Sequence, residues 1–215
     1  GESMGVSTSA GARRAPVQER SQETVARVHA AAARLLARGI APQALTTAMI
    51  AGEAGLSVGG LYRFFPDKQA VVDAIALRHL DAFQDGVAAV LMADLPGTPQ
   101  DFLATVVDAF AAYLEANPDF RTLAYGPPGA TAPARAISTT LFEQQSGDLA
   151  TMVREALATL YGIETDDAFA FRLRIAAEIG DRLIGHAFTQ QGEMRARVLA
   201  EANSVLGVYL FANQQ

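Results

Sequence analysis

The sequence predicts an all-α fold on three observations. Apolar residues recur at helical spacing along nearly the whole chain, no segment alternates apolar and polar residues as a half-buried strand would, and helix-start and helix-stop residues punctuate the chain at regular intervals. There is no hairpin signal and no internal repeat. With 215 residues, half of them hydrophobic, the chain can bury a sizeable core as one domain or as a small head joined to a larger body.

The first helix is expected to start after Ser21, a good N-cap, and to bury Val25, Val28, Ala32, Leu35 and Leu36 before Gly39 stops it. After Pro42, Thr46 or Thr47 can cap a second helix burying Ile50 and Ala54, and Gly55 suits the left-handed turn that follows. Ser57 caps a short third helix whose Leu61 and Phe65 face the first two, until Pro66 ends it. Asp67 caps a long fourth helix with Val72, Ile75, Ala76, His79, Leu80, Phe83, Val87, Val90 and Leu91 at helical spacing. Thr98, Pro99 and Asp101 restart a fifth helix that reaches about Ala116. A short apolar segment runs to Tyr125, GPPGATAP forms a loop, and helices are expected over about 134–161, 165–190 and 193–212. The helix from Thr165 is apolar nearly all round and so needs more than one partner. Together with the last helix it can form half of a four-helix dimer interface, with packing inside one subunit as the plainer alternative.

Three units result: a flexible basic arm over 1–18, a helix-turn-helix head over 19–66, and a body over 67–215 entered through a connecting helix at 67–93. Arg13 and Arg14 in the arm belong either to an unstructured tail or to a minor-groove arm. The formal charge is −6 but unevenly placed. Residues 1–68 carry eight Arg or Lys against five Asp or Glu, and residues 69–215 carry nine against eighteen. A mildly basic head on an acidic body fits a nucleic-acid reader attached to a domain that does not bind nucleic acid. The chain has no cysteine, which removes disulfides, thiolate nucleophiles and cysteine-ligated zinc. No apolar signal region and no membrane-length apolar run is present, so a cytoplasmic protein without a membrane partner is expected. No cofactor and no metal spacing is recognisable.

Lys68, the only lysine, falls in the first turn of the fourth helix. A cation there opposes the helix dipole, which makes a bound anion such as phosphate the natural complement. Two helices joined through a Gly-containing turn are the geometry that lays a second helix into the major groove. With Leu61 and Phe65 turned inward, Val58, Gly59, Gly60, Tyr62 and Arg63 are left for the groove or its walls. The glycines allow close backbone approach, Arg63 can pair with guanine or neutralise phosphate, and Tyr62 and Lys68 suit phosphate.

The pattern T-T-x-x-I-A-x-x-A-G-L-S-x-x-x-L-Y-x-x-F-P-x-K from Thr46 to Lys68 resembles the N-terminal domain of TetR-type, tetracycline-repressor-like transcriptional regulators. The resemblance implies an all-helical homodimer, with this head on a divergent body that holds a small-molecule pocket and the dimer interface. It carries DNA-contact roles onto Thr47, Ser57, Tyr62 and Lys68, and makes Val58, Gly59, Gly60 and Arg63 the groove readers. Gly60 and Val58 depart from the family pattern, where a small or hydroxyl residue and a polar residue are commoner. The function implied is a repressor that binds a palindromic double-stranded operator and is released by a largely apolar effector.

Within the body, Phe83, Phe110, Tyr113, Tyr125 and Phe142 supply aromatic walls for such an effector, and ordinary core is the plain alternative for each. Arg174 and Glu178, with Asp181 and Arg182, are charges on an apolar helix and must find solvent, a partner or a ligand. His79 and His186 read as hydrogen-bonded core or interface histidines. Two other classes compete: a helical protein-binding adaptor, and an enzyme built on carboxylates alone, since no nucleophile elbow, phosphate loop or HExxH spacing appears.

Overall fold

Local caps begin most of the helices. In the computed structural model, which describes residues 9–212 and side chains from residue 17, Met49 N–H donates to Thr46 Oγ1, Gly60 N–H to Ser57 Oγ, Ala70 N–H to Asp67 Oδ1 and Asp101 N–H to Thr98 Oγ1. These bonds start α2 (Thr47–Ala54), α3 (Val58–Tyr62), α4 (Lys68–Ala93) and α5 (Pro99–Ala116). The other helices are α1 (Ser9–Ala37), α6 (Pro118–Tyr125), α7 (Thr139–Tyr161), α8 (Asp167–Phe188) and α9 (Gly192–Phe211), with a 3₁₀ turn at Pro42–Ala44. No strand occurs among the described residues.

Several boundaries differ from expectation, among them the end of the third helix, which stops at Tyr62 before a turn instead of running on to Pro66. The first helix begins at Ser9, so Ser21 is interior and residues 9–18 of the expected flexible arm are helical; the first eight residues lie outside the described ones. Once the Val28–Leu36 segment is fixed by packing, extending the helix backward gains one hydrogen bond per residue and needs no new nucleus. The seventh helix starts at Thr139 behind a Ser138 cap rather than near 134. Residues 134–136 are held out of it, because Ala134 N–H donates to Tyr125 O and Ala136 N–H to Leu123 O.

The head is α1 packed on α2, with α3 against α2. Val28, Ile50, Leu61 and Val71 are fully buried in its core, and Gly55 makes the left-handed turn between α2 and α3 at φ +69°. Arg27 donates to the carbonyls of Ala54 and Gly55 and so closes the end of α2. The head is joined to the body twice, through α4 and through α1 packing on α6. In the body, α8 packs on both α7 and α9, and α5 packs on α9, which supplies the several partners that an all-round apolar helix requires. Val90, expected inside, is 53 % exposed near the end of α4.

Candidate nucleic-acid interface and ligand cavity

Burial of Leu61 and Phe65 turns the rest of the third helix outward. Val58, Tyr62 and Phe64 are exposed large hydrophobic residues, and Ser57, Gly59 and Arg63 are exposed as well. Nothing stands within 4 Å of where a Gly59 Cβ would be, so that position presents bare backbone to solvent. A Cβ on Gly60 would sit 3.1 Å from Ser57 Oγ, the oxygen that caps the helix. Because Thr46 is the cap of α2, the Thr47 hydroxyl is free to meet the Tyr62 hydroxyl at 3.1 Å. Thr47, Ser57, Val58, Gly59, Gly60, Tyr62 and Arg63 are thereby gathered at the two helix starts and the outer side of α3.

Lys68 begins α4, and its Nζ lies 3.2 Å from Pro42 O and 3.4 Å from Gln43 O. The ammonium therefore braces the 3₁₀ turn ahead of α2 while remaining half-exposed. Two of the head's cations are already engaged with a carboxylate. Arg34 and Arg38 both pair with Glu53, at 2.9 and 2.8 Å, and these two bonds hold that carboxyl below its ordinary range.

In the body, a cavity of about 190 Å³ lies between α4, α5, α6, α7, α8 and α9. Phe83 and Leu80 of α4, Phe110 of α5, Tyr125 of α6, Phe142 of α7 and Leu206 of α9 contribute to its wall. Among the described residues two charged ones line it, Arg135 and Asp181, and they are paired at 2.5 Å. Tyr125 donates its hydroxyl to the same Asp181 oxygen at 2.8 Å. Burial and the charge of Asp181 push the Tyr125 phenol well above its ordinary value, so it remains a donor. The Arg135 guanidinium stands 3.5 Å over the Phe142 ring. The corner is thus closed electrically, and the rest of the wall is apolar or neutral.

The expected ligand residues divide on this geometry. Phe83, Phe110, Tyr125 and Phe142 line the cavity; Tyr113, Arg174 and Glu178 do not. Tyr113 lies behind the wall, where His79 bridges its hydroxyl and Asp119 at 2.7 Å each. Burial would raise the Asp119 carboxyl, but the hydrogen bond and charge of His79 and the local backbone N–H groups bring it below its usual range. Arg174 and Glu178 are exposed on α8, with Arg174 beside the exposed Phe171 ring. His186 is exposed, not buried. Arg135, not among the residues expected at the ligand, lines the cavity as well. Its signal was its isolation, since it is the only charged residue between Arg121 and Glu143.

A helix-turn-helix head with an outward third helix, joined to a helical body that encloses an apolar cavity, defines a DNA-binding transcriptional regulator. The description "Bacterial regulatory proteins, tetR family" matches residues 29–75, and "Tetracyclin repressor-like, C-terminal domain" matches residues 97–214. The chain belongs to the TetR family of transcriptional regulators. It is similar in structure to a TetR-family regulator from Streptomyces coelicolor, with 25% identity, TM-score 0.68, and coverage of 88% of this chain and 98% of that one. The fold is also shared with the fatty acid degradation regulator FadR from Bacillus halodurans (14% identity, TM-score 0.60, 86% and 94% covered). A TetR regulator from Rhodococcus sp. RHA1 shares it too (18% identity, TM-score 0.58, 92% and 99% covered). No curated protein matches the chain in sequence. Among the described residues no helix is long and apolar enough to cross a membrane, and no cluster of His, Cys, Asp and Glu is placed to hold a metal ion.

Proposed function

We propose that the protein is a homodimeric repressor that occupies a two-fold operator and releases it when an uncharged, largely apolar small molecule enters the body. The observation that carries this reading is the shared role of α4: its first residue is Lys68 at the head, and Leu80, Phe83 and Gln84 further along it line the cavity. A ligand that fits the cavity better in one setting of α4 than in another shifts the DNA-binding equilibrium by the same factor. Thr47, Ser57, Tyr62 and Lys68 hold phosphate, and Val58, Gly59, Gly60 and Arg63 enter the major groove. With no hydrogen-bonding side chain at 58–60, sequence discrimination falls to Arg63 and to backbone approach.

The effector is uncharged because the wall carries one cation and one anion already paired with each other. A charged ligand would lose its hydration without gaining a free counter-charge. Phe83, Phe110, Tyr125 and Phe142 form its aromatic walls. Dimerisation runs through α8 and α9, where Phe171, Val205, Val208 and Tyr209 are exposed. Selection of genomic fragments by the purified protein, followed by titration of the recovered site against salt, tests the reading. A specific fragment bound with a steep negative salt slope is expected; retention of no fragment would overturn it.

A further inference from the structure

Building on that reading, we propose that the extended segment 133–138 carries the state of the cavity to the head, with Gln69 and Asp73 as positioning residues that hold the first turns of α4 to it. Arg135 and Ile137 both line the cavity. The groups next to them in the chain face α4: Ala136 O accepts from Gln69 Nε2 at 2.9 Å, and Ser138 N–H donates to Asp73 Oδ1 at 2.9 Å. Gln69 Nε2 also donates to Asp73 Oδ1 at 2.9 Å, so the two contacts form one junction. One short stretch of chain therefore touches the cavity with one set of residues and α4 with the groups between them.

The segment has little freedom to absorb a push. Ala134 N–H and Ala136 N–H are bonded to Tyr125 O and Leu123 O. Pro133 lies so close to Gly185 that a Cβ there would stand 3.0 Å from its Cγ. The Arg135 guanidinium is paired with Asp181 and lies over the face of the Phe142 ring. A ligand that displaces this guanidinium breaks its contacts with Asp181 and Phe142, and so removes one of the ties that fix the segment in place.

The route is short. Gln69 and Asp73 stand one and five residues after Lys68, about 1.5 and 7.5 Å along the helix axis, whereas Phe83 lies about 22 Å along it. Motion arriving at Gln69 reaches the phosphate-facing end of α4 without tilting the whole helix. A coupling segment and a simple surface tether differ in what a change at Arg135 does.

The test uses the full chain and two cavity-wall variants: Arg135→Met on the segment, and Leu149→Ala on α7 as comparison. Amide hydrogen exchange is followed at Ser138 and at residues 70–76, and affinity is measured for the operator recovered from genomic fragments. Arg135→Met is expected to speed exchange at those amides by about tenfold, with Leu149→Ala leaving them within about twofold. It is also expected to shift operator affinity by about fivefold, a shift that disappears when Gln69→Ala and Asp73→Ala are already present. Equal exchange in the two variants, or an affinity effect of Arg135→Met that simply adds to that of the α4 changes, overturns the proposal. If no fragment is retained, the regulator reading fails, and the exchange comparison still decides whether the segment couples cavity to α4.

Discussion

The hydroxyls of Thr47 and Tyr62 lie 3.1 Å apart, joining the first residue of α2 to the last residue of α3. In the proposed DNA complex one phosphate oxygen placed between them accepts from both. Tyr62→Phe is expected to lower operator affinity by about three- to tenfold and to lower affinity for unrelated duplex in proportion, because phosphate contacts carry no sequence information. Thermal unfolding should change by no more than about 1 kcal/mol, the net worth of one exposed hydrogen bond. A loss confined to the operator would assign Tyr62 to base reading instead.

Lys68 braces the turn ahead of α2, and the proposed reading gives it a phosphate contact as well. Lys68→Met should reduce the slope of log affinity against log salt by about one, the signature of one lost phosphate contact. It should also cost on the order of 1 kcal/mol of stability by releasing Pro42 O and Gln43 O. An unchanged salt slope, measured by titrating the operator across salt concentrations, would leave Lys68 as a brace alone.

His29 makes stability depend on pH. It is 7 % exposed, its Nδ1 lies 2.9 Å from an Arg78 guanidinium nitrogen, and its Nε2 is buried without a partner. Burial, then the charges of Arg78 and His79, lower its pKa to about 4 from the ordinary 6.5. Between those values the unfolded chain binds a proton that the folded chain refuses. Stability is therefore whole above about pH 6.5 and falls as the pH drops toward 4, by roughly 2 kcal/mol at pH 5 and roughly 3 kcal/mol at pH 4 from this residue. Urea unfolding at pH 7 and pH 5 should show the difference, and His29→Gln, which keeps an acceptor for Arg78, should flatten it.

Two glycines on neighbouring helices should respond oppositely to the same change. Gly185→Ala places a methyl 3.0 Å from Pro133 Cγ and 3.1 Å from Tyr125 Cδ1, and neither ring can yield. The clash should outweigh the gain from replacing a helical glycine and destabilise the protein by about 1 kcal/mol. Gly207→Ala meets only Gln100 Cγ at 3.8 Å and should stabilise by up to about 1 kcal/mol. Melting temperatures of the two variants decide the point.

Val208, 68 % exposed on α9, is an apolar side chain facing away from its own subunit's core. Val208→Glu would place one carboxylate from each subunit in the interface proposed for α8 and α9, an unpaired charge on both sides of a two-fold contact. Solution mass should move from dimer toward monomer. A wild-type mass of one chain would remove the interface altogether.

The legible parts of the chain were those governed by neighbours in sequence. Thr46, Ser57, Asp67 and Thr98 each cap a helix within three residues, so residue type and spacing were enough to find them. Phe83, Phe110, Tyr125 and Phe142 were identifiable as candidate walls because each is an aromatic residue in an apolar stretch of the body, a signal that Tyr113 shares without lining the cavity. What failed depended on distant partners. Residues 134–138 have helix-compatible composition, yet they are held extended by carbonyls of α6 and by Asp73. Arg174 and Glu178 share their helix with Asp181, and only contact with Arg135 and Tyr125 singles out Asp181. Ser21 looked like a helix start because a cap residue carries no mark of whether the helix has already begun.

The pairing of Arg34 and Arg38 with Glu53 reaches beyond the head itself. Cations already closed on a carboxylate have few counterions to release, so they add little to the grip on arbitrary duplex. A chromosome offers vastly more such duplex than operator, and a regulator that clings to it is titrated away. With Arg34 and Arg38 withdrawn, fewer of the head's cations hold it to arbitrary duplex, so a larger share of its copies is free to search for the operator.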